Sequence, residues 1–522
     1  MRSATSRLLA WMVVASCPSL AAADPLEAVR VDGGMIRGTV SERFDNVIVY
    51  RGVPYAASTA GPNRWRPPQP VESWEGIRDC QQFGPCCPQA PYPKESAYYR
   101  EPEPQSEDCL SLNVWTSQPS SDARPVMVWI HGGALTRGSG AIGAYDGAAL
   151  ARKGVVVVTI NYRLGPLGFF AHPELTAESE RHAAGNYGLL DQIAALEWVK
   201  RNIAQLGGDP DCVTIFGESA GSQSVNALIA SPLATGLFHR AIGQSGTAFR
   251  TLATLTEAEQ QGASFAKLAD VKDLAGLRQL PAEKILEVAE KSGGIRGNLN
   301  VDGWCLPQDV KAIFLAGKQN DVPTIAGSNA DEMTTLAPLA ARPKTRQALR
   351  AQVALLLASP DDVERLYPAS SDEEAAKAYL DLVGDVSFTL PARSWARWST
   401  AAGGKVYLYQ FTRVTPFAAA ARLGAFHAAE ITYAFDNLDM LPREARDTDK
   451  KLADMMSTYW VNFAKTGDPN GAGLPNWPPY NRSEEPYLNL GDQVSLEHHL
   501  RQEKLDLIER LLVQQHLRSA AK

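Results

Sequence analysis

From about residue 110 onward, apolar runs alternate with stretches of helical periodicity. Residues 112–115, 126–130, 155–160 and 213–216 are runs with little polar alternation, the pattern of strands covered on both faces. Between the third and fourth, residues 191–203 carry apolar side chains at helical spacing. Residues 322–326 and 406–411 supply later strands. This alternation predicts an α/β fold with a large, mostly parallel twisted central sheet flanked by helices. Ahead of it, residues 31–40 and 46–53 read as hairpin strands of an antiparallel N-terminal edge. The passage 54–74 carries too many prolines for a regular element. Residues 256–292 and 342–398 read as mostly helical, the second as a cap beside the site. The tail, 496–521, alternates charge with leucine and reads as a surface helix.

Composition narrows the class. The chain has 522 residues, 45% hydrophobic and 21% charged, which is ample for a large core. A net charge of −7 without a long Lys/Arg run argues against nucleic acid as a partner. Arg2 and Arg7 precede an apolar run, and Ala21, Ala22 and Ala23 offer a small-residue cleavage site. A signal peptide over 1–23 is therefore expected, followed by a single domain over 24–522, exported to the periplasm or beyond. Residues 14–17 also resemble a lipid-attachment site ending in Cys17, the competing reading. No stretch approaches the roughly 20 apolar residues of a membrane-spanning helix. Signal removal leaves Cys80, Cys86, Cys87, Cys109, Cys212 and Cys305, an even number that suggests disulfides in an exported protein. No C-x-x-C pair suggests a zinc site.

The sharpest chemical signal is Gly217-Glu218-Ser219-Ala220-Gly221, placed between an apolar run and a segment of helical composition. In that context G-x-S-x-G reads as a nucleophile elbow, a tight strand-to-helix turn that exposes one serine hydroxyl. Flanking glycines are needed because a Cβ there would collide with its neighbours. Ser219 would also sit at a helix N-terminus, where backbone N–H groups favour negative charge. After the strand ending at Ile130 comes His131-Gly132-Gly133-Ala134. A small-residue loop in that place supplies N–H donors for an oxyanion, with Ala220 N–H as a further donor.

The base follows by elimination. Such sites run Ser, then acid, then His along the chain. His131, His172, His182 and His239 come too early, and His498, His499 and His516 lie in the charged tail. His427 remains, and an imidazole takes and returns a proton near neutrality. The acid should follow a strand, and the run 322–326 leads to Asp331 and Glu332. Pattern alone leaves both open.

At this point the chain resembles the type-B carboxylesterase/cholinesterase family of α/β-hydrolases over nearly its whole mature length. The resemblance is carried by residues 50–55 (YRGVPY), 107–115 (EDCLSLNVW), 161–168 (NYRLGPLG), 186–192 (NYGLLDQ), 207–210 (GGDP), 244–246 (QSG) and 459–470 (YWVNFAKTGDPN). It implies Glu332 as triad acid with Ser219 and His427, and Gly133, Ala134 and Ala220 as oxyanion donors. It implies Ser245 as a support behind the triad and Glu218, inside the elbow, as a second supporting residue. It also implies a Cys87 to Cys109 disulfide, leaving the other cysteines unassigned. Ala134 and Met333 stand where the family usually has glycine, and Ser111 where it usually has tyrosine. The loop between Cys87 and Cys109 lacks the tryptophan that cholinesterases place against a quaternary ammonium, so choline esters are disfavoured.

The expectation is a serine carboxylic-ester hydrolase acting on small to medium organic esters through an acyl-enzyme, with no metal or organic cofactor. An amidase or thioesterase would use the same machinery, and a non-catalytic binding relative would have lost the triad. Arg250, Arg296 and Trp304 are candidates for shaping the acyl pocket.

Overall fold

The computed structural model describes residues 26–117, 123–292, 297–357, 359–416, 420–440 and 444–520. The expected signal sequence, Cys17 and Arg296 lie outside the described residues. Among those described, the large sheet has eleven strands: β1 (Thr39–Val40), β2 (Val47–Pro54), β3 (Ser111–Ser117), β4 (Arg124–Ile130), β5 (Val156–Ile160), β6 (Gly208–Glu218), β7 (Arg240–Gln244), β8 (Thr324–Asn329), β9 (Val406–Phe411), β10 (Pro486–Leu490) and β11 (Val494–His498). Their spatial order is β1-β2-β3-β5-β4-β6-β7-β8-β9-β10-β11. The run from β5 to β10 is parallel, while β1 to β3 and β11 pair antiparallel at the two edges.

Both faces of the parallel run are covered, which explains the unbroken apolar runs. Along β4, Val126, Val128 and Ile130 enter one core with Leu189, Leu196 and Trp198 of helix α1 (Tyr187–Asn202). Met127 and Trp129 enter the opposite core with Met456, Trp460 and Phe463 of the helix Asp447–Thr466. The strand's two-residue period thus divides one sequence run between two cores. Ser219 stands at the C-terminal end of β6, near the middle of the sheet, where open α/β sheets place their sites.

Two expectations are corrected. The stretch 31–40 is not one hairpin arm: Val29–Val31 and Gly34–Arg37 pair with each other and join Ile77–Asp79 in a separate three-stranded sheet. Only Thr39–Val40 reaches the edge of the large sheet. The tail begins as edge strand β11, and the helix after it, Gln502–Ala520, is not simply superficial. Its Leu505, Leu507, Ile508 and Leu511 are buried against the helices Arg346–Leu357, Pro360–Leu366 and Asp372–Gly384. Leucines at helical spacing make one apolar face, and the interleaved charges occupy the other. The cap runs from Asp372–Gly384 through a π-helical turn, Asp385–Thr389, into Leu390–Ala401. Asp385 fixes that turn by accepting from Tyr367 Oη at 2.7 Å and Arg501 Nη1 at 2.6 Å.

Candidate active site

The elbow is built where β6 meets helix α2 (Ala220–Ala230). Ser219 has φ 58° and ψ −121°, strained backbone of a kind that persists at functional sites when the surroundings impose it. The constraint is visible in its neighbours. A Cβ on Gly221 would lie 1.9 Å from Ile130 O, and one on Gly217 would lie 2.6 Å from the Gly221 carbonyl carbon. Ser219 N–H donates to Gln244 O at 2.8 Å, tying the turn to β7. The Ser219 side chain remains partly exposed, and its hydroxyl has no hydrogen-bond partner among the described residues.

Glu332 and Asp331 take separate tasks. Glu332 Oε2 lies 2.6 Å from His427 Nδ1, and its Oε1 accepts the Asn329 N–H at 2.7 Å. Asp331 Oδ2 instead accepts from Ala425 N–H at 2.9 Å, and Asp331 N–H returns a bond to Ala425 O at 3.0 Å. One carboxylate therefore meets the imidazole, and its neighbour pins the loop that carries it. Met333 opens a short helix, Met333–Leu336, without a positive φ, so this position has no conformational need for glycine.

The other face of His427 meets Glu218. Nε2 lies 3.0 Å from Glu218 Oε1, without hydrogen-bond geometry, since that oxygen has no hydrogen-bond partner among the described residues. Burial alone would lower the imidazole pKa, but the Glu218 and Glu332 carboxylates outweigh it and raise it to about 9. Burial holds the Glu218 carboxyl well above its ordinary range, against the opposing pull of His427. Nε2 therefore keeps its hydrogen-bonding capacity for another partner.

The loop after β4 presses against the elbow. A Cβ on Gly132 would lie 2.7 Å from Glu218 O and 3.1 Å from Ser219 Cβ. Gly133 has φ 103°, and Ala134 is left-handed at φ 57°. Alanine at this place thus carries a conformational cost that glycine would avoid. The backbone N–H groups of Gly133, Ala134 and Ala220 have no acceptor among the described residues. His131 does not titrate with this group: burial lowers its pKa to about 4, and its ring stacks on Tyr162 at 4.4 Å.

A polar network lies behind the imidazole. Glu430, fully buried, accepts from Gln244 Nε2 at 3.1 Å and Asn329 Nδ2 at 2.6 Å, and Trp460 Nε1 donates to Gln244 Oε1 at 3.1 Å. Its only sign in the sequence is its place three residues after His427. Phe388, in the π-helical turn, sets its ring 5.0 Å from the imidazole. Tyr98 Oη donates to His427 O at 3.0 Å and contacts Thr335 Oγ1 at 2.6 Å.

Ser245 is fully buried, and its hydroxyl makes no hydrogen bond among the described residues. Cys87 and Cys109 are both buried and are not joined as a disulfide. The Cys87 thiol, with burial, pushes the Cys109 pKa well up. Arg250 lines a separate cavity of about 260 Å³ with Thr251 and Asn298, and Trp304 lines another beside Arg181. Neither lines the cavity that reaches Ser219. That cavity, about 670 Å³, is bounded by Glu218, Ser219, His427, the 132–134 loop and the aromatic loop bearing Tyr92, Tyr98 and Tyr99, a size suited to small organic molecules.

A mostly parallel sheet, an elbow serine and a carboxylate-held imidazole at the strand ends define an α/β-hydrolase. The chain belongs to the carboxylesterase family: the model of that family matches residues 25–508. It is 38% identical over 504 residues to fumonisin B1 esterase of Sphingopyxis macrogoltabida, covering 91% of this chain and 89% of that one. It is 36% identical to the para-nitrobenzyl esterase of Bacillus subtilis, with 92% and 97% covered. Among solved structures, a PNB esterase superposes with TM-score 0.81 at 33% identity, covering 92% of this chain and 99% of that one. A Geobacillus stearothermophilus carboxylesterase gives TM-score 0.81 at 34% identity with the same coverage. The enzyme class is that of the carboxylic-ester hydrolases.

Proposed function

We propose that the protein hydrolyses small to medium organic carboxylic esters through a Ser219–His427–Glu332 triad. The observation that carries this reading is the Glu332 to His427 Nδ1 contact at 2.6 Å, with His427 and Ser219 lining one cavity and Nε2 making no hydrogen bond among the described residues. His427 Nε2 removes the Ser219 proton as Oγ attacks the ester carbonyl carbon. The oxyanion so formed is held by the N–H groups of Gly133, Ala134 and Ala220, each donor worth roughly 3–4 kcal/mol to the transition state. The intermediate collapses with loss of the alcohol, which takes the proton from His427. Water, deprotonated by the same nitrogen, then releases the acid and restores Ser219. Glu332 holds the imidazole tautomer and stabilises the imidazolium.

The domain is read as one unit over 24–522, exported after removal of residues 1–23. In an oxidising compartment the adjacent thiols of Cys87 and Cys109 would close the aromatic loop as a disulfide. Peptide mass mapping of protein purified from the periplasm, with and without reduction, tests both points. Among the described residues no helix is long and apolar enough to cross a membrane. The activity itself is tested with 4-nitrophenyl acetate: wild-type protein turns it over, and Ser219→Ala does not exceed the uncatalysed rate. Retained turnover in that variant would remove Ser219 from the mechanism.

A further inference from the structure

The Ser219 cavity carries two arginines that the hydrolytic scheme does not use, Arg100 and Arg137. Both guanidiniums lie over the same ring, that of Tyr92, at 5.6 Å and 5.2 Å from its centroid. Arg137 is fixed to the oxyanion loop: its N–H donates to Gly133 O at 3.0 Å, and its Nε donates to Ala90 O at 2.9 Å. The Tyr92 hydroxyl reaches the same loop, lying 3.4 Å from where a Cβ on Gly133 would stand. The two cations are therefore held about one tyrosine side chain from the oxyanion donors.

Neither arginine forms an ion pair with a described carboxylate. Glu101 and Glu103 line the same wall, but Glu101 accepts from Tyr99 Oη at 3.2 Å, and neither acid pairs with Arg100 or Arg137. In a comparable cavity elsewhere, Arg413 is tied to Asp449 and Asp492. A half-buried guanidinium carries a desolvation cost that an anionic ligand would offset. Its planar fork matches a carboxylate through two parallel hydrogen bonds.

We infer that Arg100 and Arg137 form an anion subsite in the Ser219 cavity and select esters that carry a free carboxylate in the acyl or the alcohol half. This rests on Ser219 being the nucleophile. The ligand class is an ester of a dicarboxylic acid, or of a hydroxy acid whose carboxylate remains free. The positive charge of the same pair disfavours cationic alcohols such as choline.

The test uses the full chain and length-matched ester pairs. Mono-(4-nitrophenyl) glutarate against 4-nitrophenyl valerate places the charge in the acyl half. 3-Acetoxybenzoate against phenyl acetate places it in the alcohol half. In the double variant Arg100→Gln/Arg137→Gln, the anionic-to-neutral ratio of kcat/KM falls at least tenfold for one of the pairs, mainly through KM. In wild type the same ratio falls with added salt. The variant with lysine at both positions keeps the charge without the fork and gives an intermediate ratio. Glutarate binding by calorimetry supplies a readout independent of turnover: wild type binds it, and the double glutamine variant, matched in unfolding midpoint, does not. Unchanged ratios in both pairs, or equal glutarate binding by the two proteins, would overturn the subsite. Absence of turnover of every ester by wild type, with glutarate still bound through the arginines, would instead remove the hydrolase reading and leave the subsite standing.

Discussion

Glu332 and His427 meet at 2.6 Å through Nδ1, while Asp331, the adjacent carboxylate, is engaged with the backbone of Ala425. Replacing each acid by its amide therefore has different consequences. Glu332→Gln replaces the carboxylate with an amide that can donate to Nδ1 and favour the wrong imidazole tautomer, and kcat/KM falls by about 10³- to 10⁴-fold with a modest change in unfolding midpoint. Asp331→Asn loosens the loop, and the expected loss in kcat/KM is tenfold or less, with a lowered midpoint. Steady-state kinetics and thermal unfolding on the two variants check the division.

Glu218 sets the pH dependence. Catalysis needs neutral His427, and its pKa is raised to about 9 by the two flanking carboxylates against the effect of burial. The acidic limb of kcat/KM, which reports the free enzyme, therefore lies at higher pH than an unperturbed imidazole would give. Glu218→Gln removes one carboxylate, lowers the imidazole pKa and moves that limb to lower pH. A pH–rate profile in which the limb stays fixed, or moves upward, would contradict this electrostatic assignment.

The elbow glycines are steric requirements. A methyl on Gly221 would lie 1.9 Å from Ile130 O, whereas Gly76, which unlike Gly221 is at positive φ, has open space around its would-be Cβ. Gly221→Ala should cost at least about 3 kcal/mol of stability, as overpacking against rigid backbone does. Gly76→Ala should cost only about 1–2 kcal/mol from its backbone conformation. Urea unfolding of the two variants separates the effects.

Tyr98 latches the aromatic loop onto the catalytic segment through His427 O and Thr335. Tyr98→Phe keeps the ring and loses both contacts. The expected result is a loss of about 1 kcal/mol of stability per hydrogen bond and a several-fold drop in kcat/KM. Proteolytic nicking of the loop would also speed up.

Much of this arrangement is legible in the sequence, for physical reasons. Strands buried on both faces leave apolar runs, so the parallel core of the sheet is readable, down to Val406–Phe411 with unchanged bounds. The elbow is readable because its glycines are compelled by contacts at the turn itself. Legibility ends where side-chain direction decides. Asp331 and Glu332 are neighbours of the same charge, and only the fold shows which one faces the ring. Glu430 reaches Gln244 and Asn329 across long sequence separations. Arg250 and Trp304 lie in segments near the site in sequence order, yet they open into other cavities. Strand β11 escapes notice because its residues are largely exposed at the sheet edge, which erases the apolar pattern.

The most direct test of the central claim is covalent trapping with an uncharged fluorophosphonate, read by intact mass and peptide mapping. Wild-type protein should gain one phosphonyl group per chain, on the peptide containing Ser219. The Ser219→Ala variant should gain none, and His427→Ala should react far more slowly. A phosphonyl group on another residue, or unchanged labelling of the Ser219→Ala variant, would contradict the account.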